Sequence, residues 1–136
     1  MAIRIQLHRT GARTIAEFQS DGIVLNSGND LLQLLVMARA QETSNIAVHE
    51  ANVSPEFFNL KTGVAGDVLQ KMVNYRGRLA IIGDITRHLE RSESLRALVR
   101  ESNRGRDVRF VATIAELLDT AHTGRQTGTN ASSAQP

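Results

Sequence analysis

SPEFFNLKTGVAGDVLQKMVNYRGRLAIIGD, from Ser54 to Asp84, holds the change of hydrophobic period that decides the fold. Ser54 followed by Pro55 is a helix start: a serine oxygen accepts from an orphan backbone N–H, and proline's missing donor costs nothing at the first helical position. One helical turn is expected there. Thr62 and Gly63 then open a longer helix, in which Val64, Val68, Leu69, Met72 and Tyr75 keep a helical period until Gly77, a residue suited to the left-handed conformation that closes a helix. The expected span is 63–76. Leu79 to Ile82 is apolar without alternation, which a strand tolerates only when helices cover both faces of its sheet. This order puts Thr62, at a helix N-terminus, and Asp84, just past a strand's C-terminal end, on the rim of an α/β sheet where ligands and partners dock.

Working outward, Ile3, Ile5 and Leu7 alternate with polar residues, and after a turn containing Gly11 the pattern resumes from Ile15 to Phe18. Two paired strands are expected. Ser27 with Asp30 starts a helix whose apolar stripe is Leu31, Leu34, Leu35 and Ala38, and Asn45 to His49 is a short strand. Beyond Asp84 a helix is expected over 94–103, ending near Gly105, followed by a strand over 108–112. Thr113 with Glu116 forms a capping box for a terminal helix bearing Ile114, Leu117 and Leu118. The order β-β-α-β-α-β-α-β-α predicts a small α/β domain over 1–121, with a mixed sheet of about five strands and about four covering helices. From 122 to 136 the chain is rich in Gly, Thr, Ser, Asn and Gln, and a disordered tail is expected because so little apolar surface cannot offset the entropy of ordering.

The 136 residues contain no cysteine, which excludes disulfides, thiolate metal sites and thiol catalysis. The four histidines, His8, His49, His88 and His122, are scattered without ligand spacing, so neither a metal nor a cofactor is expected. The N-terminal residues alternate as a strand does and lack the apolar run of a signal peptide, and no run approaches the length of a membrane span. A soluble cytoplasmic protein is the simplest expectation. Net charge is only +2, and the basic residues are mostly arginine, with Arg96, Arg100 and Arg104 recurring every four residues on one expected helix. Aromatic residues for base stacking are few and no recognition-helix motif is present, so nucleic acid is not an expected partner.

The run Phe57-Phe58-Asn59-Leu60-Lys61-Thr62-Gly63-Val64-Ala65-Gly66, with Leu69-Gln70-Lys71, Asn74-Tyr75, Leu79 to Asp84 and Glu101-Ser102-Asn103, resembles the bacterial domain of unknown function 4180 family, DUF4180. The resemblance covers about 3–121. More distantly, the element order is similar to STAS domains, the anti-sigma-factor antagonists, in which a serine directly before the glycine of an Asp-Ser-Ser-Gly motif is phosphorylated at the start of the second helix. That resemblance implies a regulatory domain that binds a protein partner, with Thr62 at the phosphoacceptor position. The acidic residue of the motif is absent, Lys61 replaces a serine, and the turn at 54–59 has no counterpart.

The candidate binding rim comprises Phe57, Phe58, Lys61, Thr62, Gly63 and Asp84. Thr62 is a helix cap in its simplest role, and with Lys61 and the positive helix end it also suits an anion. An aspartate at 62 is expected to cap equally well. Phe57 and Phe58 are adjacent on a helical turn, so one is expected in the core and the other exposed as a partner anchor. Asp84 could cap the following segment, meet a partner or act as a base. A second polar cluster, Asn74, Tyr75, Arg76, Glu101, Ser102, Asn103 and Arg104, lies at expected helix C-termini, at the opposite pole of the sheet. No catalytic triad, carboxylate pair or phosphate loop can be assembled. The expectation is a regulatory protein-interaction domain without catalytic residues, self-association as a homodimer being compatible with it. The alternative is a domain that binds a small anionic ligand, or an enzyme, using Lys61, Thr62 and Asp84.

Overall fold

The computed structural model of the chain describes residues 2–123. Strand β1 (Arg4–Thr10) turns through Gly11 into β2 (Arg13–Gln19), its antiparallel partner. Three crossovers follow. Helix α1 (Gly28–Arg39) leads to β3 (Asn45–His49); short helix α2 (Pro55–Phe58) and helix α3 (Val64–Asn74) lead to β4 (Arg78–Ile82). Short helix α4 (Thr86–Leu89) and helix α5 (Glu93–Arg104) lead to β5 (Val108–Val111), and α6 (Ile114–Thr123) ends the described chain. The sheet order is β1-β2-β3-β4-β5, with β2 to β5 parallel. The small mixed α/β sheet of five strands matches the expectation; among the described residues six α-helices stand beside it, the four long ones expected, the single turn α2 expected after Ser54, and the single turn α4 not expected.

Consecutive parallel strands whose crossovers share one hand, as the general preference for right-handed connections requires, carry their connecting helices on one face. That face packs Phe18, Ile46, Val48, Leu79, Ile81 and Phe110 against Leu31, Leu34, Leu35, Val68, Met72 and Leu95. The other face carries Ile15, Ala47, Ala80, Ile82 and Val111, and meets Leu117 of α6. Strand β4 contributes to both cores, and its Leu79, Ala80, Ile81 and Ile82 are all buried, as their unbroken apolar run requires. Among the described residues α6 is the single helix that packs on this second face, through Leu117 with Ile114 and Leu118.

Capping decides most boundaries. Ser27 accepts from Asp30 N–H at 3.1 Å, Ser54 from Glu56 N–H at 3.2 Å, and Thr113 from Glu116 N–H at 3.1 Å while Glu116 in turn accepts from Ala112 N–H. Helix α5 begins earlier than expected because Ser92, rather than Ser94, accepts from Leu95 N–H at 3.0 Å. The end of α3 corrects another expectation. Gly77 N–H bonds Met72 C=O and Arg76 N–H bonds Val73 C=O, so Arg76, with φ of 59°, occupies the left-handed position and Gly77 follows it. Gly77 answers to packing instead: a Cβ there would lie 2.9 Å from Met72 Sδ and 3.1 Å from Leu35 Cδ1. Helix α6 runs to Thr123, past the boundary expected at 121. The tail expected from 122 lies, from residue 124, outside the described residues.

Candidate functional site

Most of the expected rim residues are already engaged within the fold. Thr62 ends a 3-10 turn (Leu60–Thr62), and Gly63, at φ of 83°, is the residue before α3. The Thr62 hydroxyl accepts from Val64 N–H at 3.2 Å, which supports the capping role at one remove, and donates toward Glu56 C=O at 2.7 Å and Asn59 C=O at 2.9 Å. It ties the α2 turn to the head of α3. Lys61, Thr62 and Gly63 are exposed. Asp84 is exposed and accepts from Thr86 N–H at 2.9 Å; hydrogen bonds from Thr86 hold its carboxyl below the usual range, leaving it a weak base.

The phenylalanine pair departs from expectation, since Phe57 is 0% and Phe58 4% exposed. The two rings meet edge to face at 5.2 Å, Phe57 approaches Phe110 at 6.4 Å, and Phe58 stacks on His88 with centroids 4.0 Å apart. A one-turn helix set between β5 on one side and α4 on the other buries directions that a surface helix leaves in solvent. Neither ring is available as an exposed anchor.

The second polar cluster divides. Asn103 accepts from Phe110 N–H at 2.7 Å and donates to Phe110 C=O at 3.3 Å, so its amide stands where a sixth strand would pair and closes the β5 edge. Arg39 of α1 donates to Tyr75 C=O, joining the ends of α1 and α3. Glu101 and Arg104 make an open i,i+3 pair at 3.6 Å, Ser102 C=O accepts from Gly105 N–H, and Asn74 and Arg76 are exposed.

The chemistry concentrates elsewhere, on the α6 face of β1, β2 and β3. Alternation along β2 puts Glu17 on the same face as Ile15; His8 pairs with Ile15, and His49 lies two residues beyond Ala47, the partner of Glu17. The imidazoles therefore reach Glu17 along opposite diagonals, His8 Nε2 lying 2.8 Å from Oε1 and His49 Nε2 2.6 Å from Oε2. Glu17 is 4% exposed. Burial pushes its carboxyl up, but hydrogen bonds from His8, His49 and Gln19 and the charge of His49 outweigh burial, and the group sits below its ordinary range. An ionised carboxylate only accepts, so each Nε2 carries a proton, and Nδ1 is the ring nitrogen left to exchange one with solvent or ligand. The side chain of His49 is 35% exposed and that of His8 17%. His49, at the C-terminal end of β3, is thus an oriented base open to solvent, with a buried carboxylate behind it to stabilise the imidazolium when it forms.

A second histidine–carboxylate pair begins at the next residue. Glu50 accepts from His88 Nε2 at 3.0 Å and from Arg87, and the Phe58 ring fixes the His88 plane. Gly83 makes this approach possible: its φ is 136° and a Cβ would fall 3.0 Å from Glu50 Cβ. His8, Glu17, His49, Glu50 and His88 lie on different elements, so ligand spacing along any one element does not reveal them. One signal was present, a charged residue inside the apolar run Ile15-Ala16-Glu17-Phe18. Because the two imidazoles occupy opposite oxygens, the cluster is hydrogen-bonded rather than convergent. Among the described residues no group of three His, Cys, Asp or Glu side chains could hold a metal ion, and no helix is long and apolar enough to cross a membrane.

No curated protein and no solved structure matches the chain, and the similarity to STAS domains gains no support from these comparisons. The profile described as "Domain of unknown function (DUF4180)" matches residues 10–120, and with most of its length inside that match the chain belongs to this family.

Proposed function

We propose that the domain binds a small weak acid at the corner formed by β1, β2 and β3, with the His49 imidazole as the contacting group. The observation that carries this reading is the buried Glu17 carboxylate holding His8 and His49 by Nε2. Burying a carboxylate costs several kcal/mol and an apolar residue of similar size would commonly serve stability as well or better, so the cluster is better explained by what His49 presents than by the fold's own needs. A weak acid delivers its proton to His49 Nδ1, and the resulting imidazolium, neutralised from behind by Glu17, pairs with the bound anion. Its position at the C-terminal end of a parallel strand agrees with where α/β sheets take ligands.

A regulatory, STAS-like protein-interaction role in the bacterial cytoplasm is the second reading, and the exposure of Lys61 and Thr62 on the rim favours it. The two separate in one experiment. Histidine ring nitrogens are followed by NMR while inorganic phosphate, acetate and a panel of small dicarboxylates are added in turn. The first reading expects at least one acid to protonate His49 Nδ1, with the response lost in Glu17→Gln. If no acid moves His49 and the Glu17→Gln spectrum responds as the wild type does, this reading fails.

A further inference from the structure

Half of the chain's fourteen arginines, seven, lie in the 23 residues from Arg87 to Arg109, against four acidic residues there: Glu90, Glu93, Glu101 and Asp107. That segment alone carries a charge of +3, more than the +2 of the whole chain. Helix α5 turns Leu95 inward, with Leu98 and Val99 partly buried beside it. Arg96, Arg100 and Arg104 stand exposed on the outer side, with Arg91 before the helix and Arg106 after it. Few of these charges are satisfied within the fold. Arg96 donates to Leu89 C=O, and Arg104 has only its open contact with Glu101, both side chains at least 75% exposed; among the described residues Arg91, Arg100 and Arg106 have no carboxylate within ion-pair distance.

We propose that the outer face of α5 docks an acidic helix of a partner protein. Arg96, Arg100 and Arg104 rise about 6 Å apart along the axis, so a helix with Glu or Asp at every fourth position offers a carboxylate to each guanidinium, in the two-pronged geometry that arginine favours. A strand is the wrong occupant, because Asn103 already holds both backbone groups of Phe110 on the neighbouring β5 edge. A nucleic-acid backbone is also disfavoured: its unbroken row of phosphates would meet Glu93 and Glu101, opposite which a protein helix can carry neutral or basic residues, and no aromatic side chain of the segment is exposed for base stacking. The proposal is independent of the His49 site.

The probe is a fluorescent helical peptide of about 20 residues with Glu at every fourth position, compared with a peptide of the same composition whose acids are spread around the helix. Binding to the full chain is read by anisotropy at about 150 mM salt, where diffuse charge attraction is largely screened. The patterned peptide is expected to bind about tenfold more tightly than the scrambled one, and Arg100→Ala to remove most of that difference. Arg100→Lys should recover only part of it, since the charge returns without the fork. Equal binding of the two peptides, or unchanged binding by an Arg100→Ala protein of wild-type melting temperature, overturns the proposal. Tighter binding of a single-stranded RNA or a DNA duplex than of the patterned peptide overturns it too.

Discussion

Glu17→Gln keeps the shape of the side chain and removes its charge, which isolates what the carboxylate contributes between His8 and His49. Glutamine offers one acceptor and one donor pair where the two imidazole N–H groups need two acceptors, so one imidazole must change tautomer or lose its partner. Both remaining contacts also cease to be charge-assisted, a loss of about 1 kcal/mol each. Against this stands the relief of no longer burying a charge. The carboxyl of Glu17 lies below the ordinary value of 4.5, so within the fold the hydrogen bonds outweigh burial and the ionised form is favoured. The net expectation is a loss of about 1–2 kcal/mol at neutral pH, or roughly 4–8 °C in melting temperature at about 4 °C per kcal/mol. Its pH dependence has a fixed sign. A carboxyl depressed in the folded state contributes stability above its unfolded value of 4.5, and that contribution disappears as pH falls through the lower folded value. Urea midpoints of the two proteins should therefore differ at about pH 6 and converge as the pH drops below about 4.5. A gap of the same size throughout, or a variant more stable than the wild type at neutral pH, refutes the reasoning.

Arg76→Gly should stabilise the protein by about 0.5–1 kcal/mol, because glycine takes the left-handed position after α3 without a Cβ penalty; a drop in the denaturation midpoint speaks against that conformation. Thr62→Ala should cost about 1 kcal/mol, and Thr62→Asp should be worse than alanine, since an acceptor-only carboxylate would face the Glu56 and Asn59 carbonyls. This reverses the expectation from capping alone, and a Thr62→Asp protein as stable as the wild type would restore it. Asn103→Ala should lose about 1–2 kcal/mol and bare the β5 edge, so sedimentation should detect concentration-dependent self-association; a strictly unchanged species distribution would show that the edge is protected by other means.

Local chemistry was legible along the chain. Ser27, Ser54 and Thr113 cap helices as their sequence contexts indicate, and the unbroken run Leu79 to Ile82 is covered on both faces, because caps and periods depend on neighbours within a turn or two. Where a short element's surroundings mattered, the reading failed. Phe57 and Phe58 cannot share a direction on a helix, yet both are buried because α2 is enclosed from two sides. The candidate site lay furthest from view. His8 is nine residues from Glu17 and His49 thirty-two, so no sequence window contains the cluster. Strand order and register bring the three side chains to one face, and those are properties of the assembled sheet: a shift of one residue in β2 would turn Glu17 to the helix layer and disperse the cluster. The sequence by itself determined the five strands and the long helices with their apolar faces, whose signals are local, whereas the pairing of β1, β2 and β3 decided that His8, Glu17 and His49 meet.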